Sequence, residues 1–102
     1  MKWGLSLEKI NAICMVFEAF PQVKEVILYG SRALGTFKAC SDIDLTVKGD
    51  LVDHFTLNQI SSQLDDLLLP YSIDLSIYSY IESPDLLDHI QRVGQIFFSQ
   101  RY

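Results

Sequence analysis

A chain of 102 residues holds one hydrophobic core and is too short for two. Its 49% hydrophobic and 21% charged residues argue against a disordered, solvating tail and for a folded domain spanning 1–102. The 8 Lys and Arg stand against 13 Asp and Glu, a net −5 with no basic run. This argues against a stand-alone nucleic-acid binder, which needs clustered cations to displace condensed counterions, but not against a nucleotide held through metal ions. No apolar run approaches the ~20 residues that cross a bilayer, and Met1-Lys2-Trp3-Gly4 lacks the apolar centre of a secretion signal. Cys14 and Cys40 lie far apart and read as reduced thiols. The expected setting is cytoplasmic, without membrane contact.

In chain order, Ser6 is placed to cap a helix with Glu8 in its first turn. Leu7, Ile10, Ile13, Cys14, Phe17 and Phe20 recur at three and four residues and predict its buried face, ending at Pro21. Residues 23–29 read as a strand that Gly30-Ser31 breaks before a short helical stretch, Arg32-Ala33-Leu34, and a loop from Gly35 to Cys40. From Asp42 to Val47 polar and apolar residues alternate, predicting a strand with one face in the core. Thr56-x-x-Gln59 has capping-box spacing, and Leu57, Ile60, Leu64, Leu67 and Leu68 predict a helical face that stops at Pro70. Alternation returns at 71–78, where Ile73, Leu75 and Ile77 share one face and Asp74, Ser76 and Tyr78 the other. Ser83-Pro84 starts a last helix, with Leu86, Leu87, Ile90 and Val93 inward and Gly94 at its end. Residues 95–102 are either a short edge strand or an extended tail, and Phe97, Phe98 and Tyr102, if exposed, form an apolar interface patch. The order α-β-α-β-α-β-α predicts an α+β layer structure, a small mixed sheet of three to four strands packed with helices.

Three features carry chemistry. Asp42 and Asp44, two apart on a strand, project from one face while Ile43 and Leu45 enter the core. Like charges so placed repel unless a cation lies between them. Asp74 repeats the device in Ile73-Asp74-Leu75, and if the two strands are neighbours, three carboxylates converge on one patch. Such a set suits hard divalent cations, Mg²⁺ or Mn²⁺. Two ions about 3.5–4 Å apart clamp the attacking and leaving oxygens of an in-line phosphoryl displacement. Gly30-Ser31, at the strand end, lets backbone amides approach an anion, with the Ser31 hydroxyl as a donor and Arg32 as added charge. Taken singly, Gly-Ser is an ordinary turn and Asp-x-Asp an ordinary solvated pair. Their succession on consecutive strands is what makes them informative.

Gly30-Ser31-Arg32-Ala33-x-Gly35, five residues, then Ser41-Asp42-Ile43-Asp44-Leu45 resembles the signature of the DNA polymerase β-like nucleotidyltransferase superfamily, and within it the minimal nucleotidyltransferase (MNT) branch. The resemblance implies a nucleotidyltransferase fold. It also implies Asp42 and Asp44 as ligands of two Mg²⁺ ions, and Asp74 as completing the catalytic metal site and helping to deprotonate the attacking hydroxyl. Gly30 and Ser31 would hold the triphosphate of ATP, with Arg32 and Ser41 as further cofactor-binding positions. It implies, too, an antitoxin role beside a HEPN-domain ribonuclease toxin, with AMP transferred from ATP to a tyrosine hydroxyl of that partner. Two alternatives stay open: an antitoxin that neutralises by binding alone, and an adenylyltransferase for a small molecule such as an aminoglycoside. The latter is disfavoured because relatives of that kind carry further acceptor-binding segments. His54 and His89 have no second ligand at zinc-like spacing and read as surface or packing residues, as Asp65-Asp66 and Asp85/Asp88 read as solvated helix faces.

Overall fold

The computed structural model describes residues 1–100. Four strands, β1 (Glu25–Tyr29), β2 (Ile43–Lys48), β3 (Ile73–Ile77) and β4 (Gln95–Ser99), form one sheet in the order β3-β2-β1-β4. The pairs β1–β2 and β1–β4 are antiparallel and β2–β3 is parallel, so the sheet is mixed. Helix α1 (Leu7–Glu18) precedes β1, and α2 (Ser31–Leu34), α3 (His54–Asp65) and α4 (Pro84–Val93) connect successive strands, with a 3₁₀ turn at Tyr78–Tyr80.

Period-two alternation divides the sheet cleanly. Val26 and Leu28 of β1, Ile43, Leu45 and Val47 of β2, and Ile77 of β3 enter the main core with Ile10, Ile13, Val16 and Phe17 of α1 and Ile60 and Leu64 of α3. On the opposite face Ile27 and Tyr29 of β1 meet Ile90 of α4, with Tyr78, Ile81 and Leu86 around them. That second cluster draws on β1 and α4 and contains no residue of β2 or β3, whose outward residues on this face are polar.

The helix starts follow local chemistry. Ser6 accepts from the Lys9 amide at 3.2 Å, and Ser83 accepts from the Leu86 amide at 3.3 Å with Pro84 in the first turn. The third helix departs from expectation at both ends. Asp53, not Thr56, is its N-cap, accepting from the Thr56 amide at 2.8 Å, because an extended Asp ahead of the helix satisfies the free amide that a capping box would otherwise take. It ends at Asp65, and Leu68, expected on the buried face, adopts a left-handed conformation (φ 53°) and is 88% exposed. Leu7 is likewise 70% exposed, and Val16 takes a core place that the predicted stripe left out.

Residues 95–99 form an edge strand, and the expected apolar patch does not form there: Phe97 is 6% exposed and Phe98 packs on Phe17 with ring centroids 5.9 Å apart. Tyr102, the third member of that expectation, lies outside the described residues. Among the described residues no helix is long and apolar enough to cross a membrane.

Candidate active site

Register brings the acidic residues together. Asp44 lies opposite Tyr29 of β1 on one side and Asp74 of β3 on the other, so Tyr29, Asp44 and Asp74 form one row across three strands, on the face away from the α1/α3 core. Asp42 immediately precedes β2. Asp42 and Asp74 are exposed, whereas Asp44, at the centre, is partly buried. Burial pushes the Asp44 carboxyl above the usual carboxylate range, Asp74 and Asp42 push it further, and His89 works against them. The Tyr29 phenol is raised first by burial and also by Asp74 and Asp44; the Ser76 hydroxyl pulls the other way without completing a hydrogen bond. This is the signature of negative charge gathered at the edge of a low-dielectric layer.

The Gly30-Ser31 turn lies directly against that row. Gly30 has φ 77° and ψ −156°, a region open in practice only to glycine, and a Cβ there would overlap Asp44 Oδ2. Glycine is required at this position because the Asp44 carboxylate occupies the space of a side chain. Ser31 then opens the single turn of α2, which the left-handed Gly35 closes (φ 81°).

Arg32, expected to lend charge to a phosphate, instead faces inward and is 2% exposed. Its Nε and Nη2 donate to the Ser41 carbonyl at 3.2 and 2.8 Å, and its Nη1 donates to the Trp3 carbonyl at 2.9 Å. The guanidinium lies 5.2 Å from the Phe37 ring centroid and 4.7 Å from that of Tyr71. Carbonyl dipoles and aromatic faces together offset the cost of burying this cation. Ser41 is engaged at both ends, its carbonyl by Arg32 and its hydroxyl by the Lys38 amide at 2.8 Å. Arg32 therefore anchors the residue just before Asp42.

With this geometry, a sequence profile described as Polymerase beta, Nucleotidyltransferase matches residues 8–102. The chain belongs to that nucleotidyltransferase family. No curated protein matches the chain. Among solved structures, a chain of a toxin–antitoxin crystal structure with AMP-PNP superposes with a TM-score of 0.70 at 23% identity, over 95% of this chain and 76% of that one. A chain of the tri-AMPylated Shewanella oneidensis HEPN toxin in complex with MNT antitoxin gives 0.66 at 20% identity, over 91% and 71%. The toxin–antitoxin MntA–HepT gives 0.67 at 20% identity, over 93% and 74%. The four-stranded mixed sheet with its helices is thus the nucleotidyltransferase fold, as the Gly-Ser and Asp-x-Asp signature led one to expect.

Within this nucleotidyltransferase, no three His, Cys, Asp or Glu side chains among the described residues are gathered closely enough to enclose a metal ion by themselves. The donor set is still chemically suited to a hard cation, since it offers carboxylate oxygens alone, and the repulsion felt at Asp44 is what a divalent ion would offset. One residue of the site was missed in the sequence. His89 of α4, read as a surface or packing residue, accepts a hydrogen bond from the Gly30 amide at Nε2, 3.1 Å away. The available signal was its position three after Leu86 on the inward stripe of the helix.

Proposed function

We propose that the protein transfers AMP from ATP to a hydroxyl, a tyrosine of a HEPN-domain toxin partner, and thereby acts as an antitoxin. The observation that carries the reading is the row Tyr29–Asp44–Asp74, with Asp42 beside it, laid against the Gly30-Ser31 turn in a chain of the nucleotidyltransferase family. Likeness of fold to chains of complexes described as a toxin–antitoxin with AMP-PNP and as a tri-AMPylated HEPN toxin with its MNT antitoxin supports ATP and a HEPN partner.

Asp42, Asp44 and Asp74 would hold two Mg²⁺ ions, or Mn²⁺ in their place. When bound, such ions supply charge neutralisation at the α-phosphate and the departing pyrophosphate. Ser31 donates its hydroxyl to a phosphate oxygen, Gly30 lets the Asp44 carboxylate lie against the turn that faces the triphosphate, and Asp74 receives the proton of the acceptor hydroxyl. The acceptor oxygen bonds to the α-phosphorus as the α–β bridging bond breaks, releasing pyrophosphate. The negative charge gathered at Asp44 by Asp74 and Asp42 is what such cations would offset.

The D42N/D44N double variant tests this against neutralisation by binding alone. Co-expressed with the toxin partner, wild type adds one or more AMP units to the partner's mass and silences it; the double variant does neither. A double variant that still silences the partner at equal stoichiometry overturns the catalytic reading. AMP transfer to a purified small molecule without any partner would instead favour the aminoglycoside type of activity.

A further inference from the structure

The turn that would face ATP is too short to hold itself. Helix α2 is four residues long, closed by the Leu34 amide on the Gly30 carbonyl at 3.1 Å and by the Gly35 and Thr36 amides on the Ser31 carbonyl, the latter at 3.0 Å, whereas a helical turn this short is unfavourable on its own. It is therefore held from outside. Arg32 ties it inward, Asp44 fills the space over Gly30, and His89 reaches it from α4, the helix that packs on the Tyr29 side of the acidic face. The His89 contact joins residues 59 apart in sequence: Nε2 takes the Gly30 N–H at 3.1 Å, and the ring meets Tyr29 edge-on, with centroids 6.2 Å apart at 79°.

We propose that His89 is a positioning residue for nucleotide binding, a role that rests on the nucleotidyl-transfer reading of the same site. By fixing the Gly30 amide to α4, His89 keeps the Ser31 hydroxyl at a set distance from the Asp44 carboxylate. The triphosphate then meets donors and acidic row already in place. Without the imidazole the turn loses its only tether to α4 among the hydrogen bonds of the described residues, while the Tyr29–Asp44–Asp74 row keeps its strand register. The consequence is weakened nucleotide binding with the acidic row left intact.

The test compares wild type, H89A and H89Q. Calorimetry measures AMP-PNP binding with Mg²⁺, and ¹H–¹⁵N spectra follow the Gly30 amide, one of only 5 glycines and so assignable in a sparse region. The expected result is about tenfold weaker AMP-PNP binding for H89A, the scale of one lost hydrogen bond. Its Gly30 amide resonance shifts and exchanges faster. H89Q, whose side-chain oxygen can accept the same bond, recovers most of both. In the AMP-transfer assay the KM for ATP rises in H89A more than kcat falls. Equal or tighter AMP-PNP binding by H89A overturns the proposal, as does an unmoved Gly30 amide, or an H89Q that restores the amide but not the binding. Wild type that binds AMP-PNP while H89A matches it defeats the His89 role alone; wild type that binds no AMP-PNP with Mg²⁺ defeats the nucleotide reading and the His89 role with it. H89N, with a side chain too short for the bond, replaces H89A should that variant fold poorly.

Discussion

Replacing Asp44 with asparagine separates the stability of this site from its chemistry. Asp44 and Asp74 are paired on neighbouring parallel strands, and the strand spacing of roughly 5 Å sets the scale of the separation between their charges. At that distance two like charges repel by about 1 kcal/mol in water and more in a low dielectric. Because Asp44 is only partly buried, solvent screening keeps the figure near the lower bound, about 1 kcal/mol. D44N removes the repulsion, and for a domain of this size the gain corresponds to a Tm increase of about 4–8 °C at pH 7 in EDTA. The pH dependence has a definite sign. The folded carboxyl titrates above its ordinary 3.8, so the native state binds the proton more tightly than the unfolded chain. Protonation thus favours the fold: its contribution is complete below 3.8 and is lost as pH rises through the raised pKa. The advantage of D44N is therefore full at neutral pH and vanishes toward 3.8. Adding Mg²⁺ should raise the wild-type Tm and leave the variant nearly unmoved. Differential scanning calorimetry across this pH range measures both effects. A D44N Tm at or below wild type at pH 7, or a gain that persists unchanged into acid, refutes the electrostatic account.

Two further substitutions probe the turn and its anchor. G30A should lower stability by about 1–3 kcal/mol, the cost of a side chain in a glycine-only region, and should abolish AMP transfer by displacing Asp44. G35A is its control: a Cβ there meets nothing within 4 Å, so only the left-handed backbone cost of roughly 1–2 kcal/mol remains and transfer survives. Urea denaturation paired with the AMP-transfer assay distinguishes the two, and equal activity loss in both variants would refute the placement of Gly30 against Asp44. R32K cannot reproduce a planar fork on the Ser41 carbonyl between two rings, and should cost about 2–4 kcal/mol in urea denaturation. Unchanged stability with a raised KM for ATP would return Arg32 to the phosphates.

The sequence made legible the layers, the order of elements up to α4, and the polar face carrying Asp44 and Asp74, because alternation at two and recurrence at three and four are local properties of the backbone, but it left residues 95–99 open between strand and tail. It also determined the Gly-Ser and Asp-x-Asp elements as a pair, since both lie within 15 consecutive residues, 30–44. Helix ends were less legible: Asp53 and Leu68 decided them through one cap and one left-handed residue, which hydrophobic period does not report. Contacts between distant segments came from packing alone. Strand register put Asp74 opposite Asp44, while the N-terminal turn at Trp3 and the aromatic pair Phe37 and Tyr71 drew Arg32 inward, a burial that no charge count reveals. The same holds for His89, whose bond to Gly30 spans 59 residues and exists only because α4 lies over the β1 side of the acidic face. Periodicity fixes which way a side chain points, but packing fixes what it meets.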